Sequence, residues 1–315
     1  MSEVNFQFCV PGGIGDISWV YSKIRHLKQI TGHDVILYVA GQDKPNRGGD
    51  LVELLPDVKW GGYLTDRNSF NVISQSVPSE WPVTIGNGVG LLLQPGSILN
   101  CAANIHLEMG KPLSQWLPFL PTDYHYPLNI APQHIAAANE IMGDITRPAI
   151  AVYLSNRSKE KQIQGGWNLW STKQWITFLK KFSDLEVCEG LTFVFLGAEY
   201  DRDKTTEVAA ELRACGHKVK EVIGKPLGVA LECLRRSHYF FAFPSGIGIL
   251  ANVLRVPGVM LLPWLISGLE KAYADPVDMG NNRYKVWVNP KPEEVLDWVK
   301  NISLPMSWDW VNWKG

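Results

Sequence analysis

A chain of 315 residues, 46% hydrophobic and 19% charged, is long enough to build two hydrophobic cores, which predicts two domains. Thirty basic and thirty-one acidic residues give a net charge of −1, which excludes a bulk electrostatic attraction to nucleic acid or to an anionic membrane. No apolar run approaches the roughly 20 residues that cross a bilayer, and the N-terminal sequence lacks the pattern of a secretory signal.

The cysteines predict a reducing compartment. They are scattered, odd in number and without the paired spacing of disulfide or zinc sites, so we expect buried thiols, no metal and a cytoplasmic protein. They are Cys9, Cys101, Cys188, Cys215 and Cys233.

The first half of the chain is predicted to begin with a strand at 5–10, a helix at 17–30 and a strand at 34–39. The helix has apolar residues at helical spacing on one face, so the three elements form a βαβ unit. Two further short strands are predicted at 83–85 and 90–93.

The second half alternates strands and helices more regularly, which predicts a parallel sheet covered by helices on both faces. The predicted strands are 149–154, 191–197, 218–222, 239–243 and 258–262, and the predicted helices are 172–182, 204–215, 227–236 and 247–255.

We therefore predict an α/β protein with two doubly wound domains that face each other across a cleft. The connection between them is placed in the proline-rich stretch 118–132. The predicted domains are 1–135 and 136–300, followed by a tail at 301–315 that packs back on the body. In such sheets ligands bind at the carboxyl ends of the strands, so sites are expected in strand-to-helix loops.

The first such loop contains Gly12, Gly13, Gly15 and Asp16. Its glycines permit close approach of a ligand to the main chain, but the spacing matches neither a dinucleotide fingerprint nor a P-loop. Asp16 is either the N-cap of the following helix, which the spacing alone favours, or a residue that carries chemistry.

The second loop contains Ser245, Gly246, Ile247 and Gly248, between a strand and an apolar helix. Free amides at a helix N-terminus suit a phosphate group. The alternative is that Ser245 caps the helix and the glycines allow close helix packing.

A third loop, at 153–175, concentrates basic residues after a strand. Arg157 is closest to the strand end and is the candidate for binding a diphosphate, whereas a solvated loop is the alternative for the lysines.

Two weaker groups of polar residues complete the candidates. His106, Glu108 and Lys111 are embedded among apolar residues and are candidates for acceptor or cleft contacts. Glu199 and Asp201 follow a strand end, where they either contact the nucleoside or begin the next helix; the second interpretation is favoured.

Four segments together resemble glycosyltransferase family 9, the heptosyltransferase-like enzymes that build the lipopolysaccharide core. They occur in the family's order and span most of the chain. They are Gly15-Asp16 before a helix, WSTKQW at 170–175, VFLGAEYDRD at 194–203 and SGIGILANVLRVPGVMLL at 245–262.

The resemblance implies the GT-B architecture, with an acceptor-binding first domain and a nucleotide-sugar-binding second domain. It implies that Asp16 is the general base and that the loop of Ser245 and Gly246 contacts the donor diphosphate. The resulting hypothesis is an inverting, metal-independent glycosyltransferase with a nucleotide-sugar as co-substrate, no other cofactor, and a glycan or lipopolysaccharide-like acceptor.

The chain departs from the family's pattern at three positions. Pro244 and Ile249 stand where the family usually has Asp and His, and Asn168 stands where it usually has Lys. Donor contacts are therefore expected to move to Arg157 or a nearby lysine.

Three other functions stay open at this point. A glycosyltransferase acting on a hydroxylated DNA base needs only a local basic groove, although the balanced charge makes DNA the less favoured acceptor. A nucleotide-sugar epimerase shares the architecture and needs no acceptor. A non-catalytic nucleotide-sugar-binding protein would explain the missing polar groups.

Overall fold

The computed structural model describes residues 6–40, 47–64, 98–100, 120–145, 148–154, 170–185, 188–262, 273 and 284–300. The chain divides into two compact units, residues 1–129 and 130–315. The domain boundary predicted after residue 135, and the packing of the tail at 301–315, stay predictions.

Unit 1 contains a parallel sheet whose described strands lie in the order β3-β2-β1-β4. Its elements are β1 (Phe6–Pro11), α1 (Ile14–Thr31), β2 (Val35–Ala40), α2 (Gly48–Val52), β3 (Lys59–Leu64) and β4 (Ile98–Asn100). The strands predicted at 83–85 and 90–93 lie outside the described residues.

Helix α1 is held in unit 1 by an apolar stripe and by polar contacts on its other side. The predicted apolar face is buried, and it comprises Ile17, Val20, Ile24 and Leu27. The Arg25 guanidinium donates to the Asp123 carboxylate at 2.8 Å and lies 3.5 Å from that of Asp57. Ser18 and Tyr126 share a buried hydrogen bond of 2.6 Å. Helix α1 is therefore anchored at several points along its length.

Unit 2 contains a six-stranded parallel sheet in the order β10-β9-β8-β5-β6-β7, which is the doubly wound Rossmann order. Its strands are β5 (Ala149–Tyr153), β6 (Thr192–Gly197), β7 (Lys218–Ile223), β8 (Tyr239–Ala242), β9 (Gly258–Leu262) and β10 (Tyr284–Val288). Its helices are α3 (Pro132–Met142), α4 (Thr172–Ser183), α5 (Arg202–Ala214), α6 (Leu227–Arg235), α7 (Gly246–Val253) and α8 (Pro292–Trp298).

An aromatic core joins α4 to the sheet of unit 2. Trp170 and Trp175 are buried, with ring centroids 4.8 Å apart, and the Trp170 indole donates to the Pro290 carbonyl. Helix α4 begins with a capping box in which the Ser171 hydroxyl accepts from the Gln174 amide and the Gln174 side chain accepts from the Ser171 amide.

The described structure contains elements that the sequence analysis missed. Helix α3 follows the predicted connection at 118–132; it begins with proline at its first position and is alanine-rich, so its hydrophobic periodicity is weak. Helices α2 and α8 and strands β3, β4 and β10 were not predicted either. None of the described helices combines the length and the apolar character needed to cross a bilayer.

The cysteine expectation needs one correction. Cys9, Cys188 and Cys233 are buried free thiols, as expected, but Cys215 is exposed because it lies just after the last turn of α5. Cys101 lies outside the described residues.

Candidate functional site

The loop after β1 lies at the point of unit 1 where the strand order reverses. Strand β1 pairs with β2 on one side and with β4, the last described strand of the unit, on the other. In open parallel sheets this switch point, at the carboxyl ends of the strands, is where ligands bind. Gly12, Gly13, Gly15 and Asp16 are thus placed where a ligand is expected.

The N-cap interpretation of Asp16 is wrong. Helix α1 begins at Ile14, three residues earlier than predicted, and its N-cap is Gly13, so Asp16 is the third helical residue. Gly15 is thus a buried residue of the first helical turn and not part of the loop before the helix. Asp16 is half-buried, and a carboxylate in the first turn is stabilised by the helix dipole.

Gly13 and Asp16 are sterically coupled. The backbone of Gly13 has φ −74° and ψ 128°, an ordinary extended conformation, so glycine is not required there for backbone freedom. A β-carbon at this position would instead collide with the Asp16 carboxylate. Gly13 therefore leaves room for the carboxylate to fold back over the loop.

The loop after β8 lies at the switch point of unit 2. Strands β5 and β8 are neighbours, with β6 and β7 on the far side of β5 and β9 and β10 on the far side of β8. Tyr153 at the end of β5 is in register with Ala242 at the end of β8. Both strands end at this edge, and helix α7 begins directly after it.

The N-cap interpretation of Ser245 is confirmed, because its hydroxyl accepts from the Gly248 amide at 3.2 Å. The Ile249 amide donates to the Ser245 carbonyl. Within the described part of the chain, no protein acceptor is seen for the amides of Gly246 and Ile247, and both residues are half-exposed. Two helix N-terminal donors are therefore open at this edge.

The packing interpretation of the second loop is also confirmed, at Gly248. A β-carbon there would overlap the Met260 side chain and contact Ala242, so glycine lets α7 approach the sheet closely. Pro244 and Ile249, which stand at positions of polar residues in the family pattern, are both buried.

Glu199 and Asp201 lie in a 3₁₀ turn, Glu199–Asp201, between β6 and α5. Asp201 is buried, and its carboxylate accepts from the Ala198 amide at 2.8 Å. Glu199 accepts two hydrogen bonds from the Arg202 guanidinium, which lowers the pKa of Glu199. Asp201 thus holds the turn before α5, as the favoured interpretation expected, and Glu199 is engaged in an ion pair.

Lys204, in the first turn of α5, also reaches the switch point of unit 2. Its ammonium donates to the carbonyl of Leu154, directly after β5, at 3.0 Å. It also lies 5.7 Å from the centroid of the Phe243 ring, directly after β8. Burial lowers the pKa of Lys204 to about 8. The sequence analysis missed this residue, because a lysine among Asp and Arg in a helix's first turn is typical of a solvated face.

Several candidates fall outside the described residues, namely Arg157, His106, Glu108, Lys111 and Asn168. Their predicted roles stay predictions. In the described ranges, no group of three or more His, Cys, Asp or Glu residues has the geometry to hold a metal ion.

Comparison by sequence finds no relative: no protein-family model matches the chain, and no curated protein does. Comparison by structure finds similar proteins. A glycosyl transferase family 9 structure from Veillonella parvula has 15% sequence identity and a TM-score of 0.56, with 91% of this chain and 87% of that one covered. The fold of this chain is similar to the fold of that structure.

Two structures from E. coli give the same result. ADP-heptose lipopolysaccharide heptosyltransferase II has 13% identity and a TM-score of 0.55, covering 92% of this chain and 96% of its own. The heptosyltransferase WaaC with ADP has 10% identity and a TM-score of 0.50, covering 94% and 97%. The resemblance to glycosyltransferase family 9 is confirmed, and at these identities it establishes the GT-B fold with its parallel sheets.

Proposed function

We propose that this protein is an inverting glycosyltransferase, which moves a sugar from a nucleotide-sugar donor to an acceptor hydroxyl. The observation that carries the proposal is the position of the two glycine loops in a family 9 fold. Each loop lies at the switch point of its own sheet, one with a half-buried carboxylate and the other with open helix N-terminal amides. In this proposal unit 1 supplies the base and unit 2 supplies the anion site, the two groups that such a transfer requires.

In the proposed mechanism Asp16 takes the proton from the acceptor hydroxyl as its oxygen attacks the anomeric carbon. The C–O bond to the nucleoside diphosphate breaks in the same displacement, which inverts the anomeric configuration. Negative charge then grows on the leaving diphosphate. The open amides of Gly246 and Ile247 stabilise that charge, together with Arg157.

The proposed donor is a nucleoside diphosphate sugar. WaaC was solved with ADP, and heptosyltransferase II is described as using ADP-heptose. In this chain Pro244 and Ile249 replace a carboxylate and an imidazole of the family pattern with buried apolar groups. We therefore expect a donor whose sugar does not depend on those two groups. The proposed mechanism is metal-independent and uses no resident cofactor, because the helix amides and Arg157 stabilise the diphosphate charge that a metal ion would otherwise stabilise.

The proposed acceptor is a glycan or a lipopolysaccharide-like glycolipid, and the proposed location is the cytoplasm. The net charge of −1 disfavours DNA as the acceptor. The three buried free thiols fit a reducing compartment.

A thermal-shift screen against nucleoside diphosphates and their sugars tests the donor. A ligand that binds only the folded state raises the melting temperature. We expect at least one donor to do so. If none of them changes the melting temperature, the transferase proposal is wrong.

A product analysis with and without acceptor then tests the reaction class. A transferase turns over the donor rapidly only when an acceptor hydroxyl is present. Release of an altered sugar from donor alone would instead indicate an epimerase, and binding without any consumption in the presence of every acceptor class would indicate a binding protein.

A further inference from the structure

Helix α5 contributes a side chain, Lys204, to the crevice between the ends of β5 and β8 at the switch point of unit 2. Lys204 belongs to α5, which follows β6, yet its ammonium reaches the carbonyl of Leu154 after β5 and lies near the Phe243 ring after β8. Phe243 is in turn only two residues before Ser245. The ammonium therefore lies beside the crevice in which a doubly wound sheet binds its ligand.

Lys204 has hydrogen-bonding capacity left over. An ammonium carries three N–H donors, and the described structure uses one of them, toward Leu154. No carboxylate of the described residues lies within ion-pair distance of it. Its helical neighbour Arg202 is different, since the Nε and Nη2 groups of that guanidinium both donate to the Glu199 carboxylate. Lys204 is thus a half-buried cation without a paired anion in the part of the chain that the structure describes.

The loop beside it supplies no full positive charge. Between Phe243 and Ile249 the chain offers two open amides, and its flanking positions Pro244 and Ile249 are buried and apolar. A helix N-terminus carries roughly half an elementary charge. A diphosphate carries more than one negative charge, so a fully charged group beside the amides would complete the site.

We infer that Lys204 binds the diphosphate of the nucleotide-sugar donor at the β5–β8 crevice, where it supplies the charge that the family pattern places at other positions. The inference rests on the proposed function. It extends that function to a residue outside the four segments that resemble glycosyltransferase family 9. The substrate class is a nucleoside diphosphate or its sugar, bound through phosphate oxygens.

The titration of Lys204 gives the inference a second readout. Burial lowers its pKa to about 8, and the carboxylates of Asp201 and Glu207 oppose that shift. Tyr153, which contacts Asp201, stays neutral because burial raises its pKa well above the usual range. A bound diphosphate favours the charged ammonium, so binding takes up a proton when the pH is above about 8. The affinity for the nucleotide should therefore fall as the pH rises above about 8. The phosphate itself titrates lower, with a pKa of about 6, so its own titration does not cause this fall.

The experiment measures the dissociation constants of ADP, UDP and GDP by calorimetry between about pH 7 and pH 10. It compares the wild-type chain with Lys204→Met, which keeps the aliphatic stem, and with Lys204→Arg, which keeps the charge at every pH in the range. The matched control is Lys181→Met, the same change at an exposed position in the last turn of α4. Circular dichroism and the melting temperature verify that each variant is folded.

We expect the Lys204→Met substitution to weaken the best nucleotide about 10- to 100-fold at pH 7, the usual worth of a charge-assisted hydrogen bond. It should also abolish the loss of affinity at high pH, and the Arg variant should bind with little pH dependence. Wild-type affinity and pH dependence in Lys204→Met would overturn this inference and leave the proposed function intact. Absence of nucleotide binding by the wild-type chain would overturn both. If the Met variant does not fold, unchanged pH dependence in the Arg variant overturns the inference.

Discussion

The loops after β1 and after β8 look alike in sequence but use their polar residues in different ways. Ser245 is the N-cap of its helix, and its hydroxyl is bound to the Gly248 amide. Asp16 is the third residue of its helix, and the N-cap of that helix is Gly13. The glycines differ as well, since Gly248 makes room for the sheet and Gly13 makes room for a carboxylate.

This difference separates structure from chemistry. A hydroxyl that completes a helix end contributes to stability, and it leaves the neighbouring amides as the groups open to a ligand. Asp16 is half-buried in the first turn of its helix, and a carboxylate at that position can serve as a base. The following predictions test whether the two loops divide their roles in this way.

The largest expected effect is the loss of turnover in Asp16→Asn. The amide cannot accept a proton, so we expect kcat to fall by about 100-fold or more with little change in donor affinity. Asp34→Asn is the matched control, because Asp34 directly precedes β2 and lies at the amino ends of the strands, away from the loop of Asp16. Transfer rates of folded Asp16→Asn close to wild type would show that Asp16 is not the base.

Acid should lower the free energy of unfolding of unit 2, because it protonates His238 in the unfolded chain. His238, directly before β8, is buried and accepts from the Ala149 amide, and burial lowers its pKa to about 4. The unfolded chain takes up this proton near pH 6.5, so the contribution is complete above pH 6.5 and is lost as the pH falls to about 4. The loss is about 3 kcal/mol of the free energy of unfolding.

Urea unfolding of wild type and His238→Asn at pH 7 and at pH 4 measures this loss. Asparagine offers an acceptor but does not take up a proton in this range. We expect the wild type to lose more stability than the variant does. An equal loss in both proteins would mean that His238 does not titrate on unfolding.

Gly13→Ala should reduce turnover by about tenfold through the displaced Asp16 carboxylate, since small misplacements of a reacting group are costly. The effect on stability should be small, because the clash is with a movable side chain. In the Asp16→Asn background the same change should cost nothing further in rate, which a double-mutant cycle measures. Additive losses would show that Gly13 acts independently of Asp16.

The smallest expected effect is that of Ser245→Ala on stability. Loss of the N-cap hydrogen bond to Gly248 should lower the free energy of unfolding by about 1 kcal/mol. Thermal unfolding without ligand measures it. Ser245→Asp, which keeps a capping oxygen, should restore stability but weaken nucleotide binding, because it adds a negative charge beside the diphosphate.

Much of the fold could be predicted because its strands are short apolar runs bounded by turn residues. The predicted strand 258–262 coincides with β9, and most other predicted elements agree with the structure to within a few residues. Helix α3 was missed because its alanines satisfy helix propensity without a strong apolar face. Its proline at the first position was the available signal.

The sequence by itself determined the alternation of strands and helices and the two glycine loops, because hydrophobic period and turn residues are local properties. The strand order was decided only by the tertiary structure, since it depends on which strands pair. The same holds for the helical position of Asp16 and for the burial of Lys204. The Lys204 ammonium donates to the Leu154 carbonyl although the two residues are 50 positions apart, and a local sequence pattern does not predict a contact at that separation.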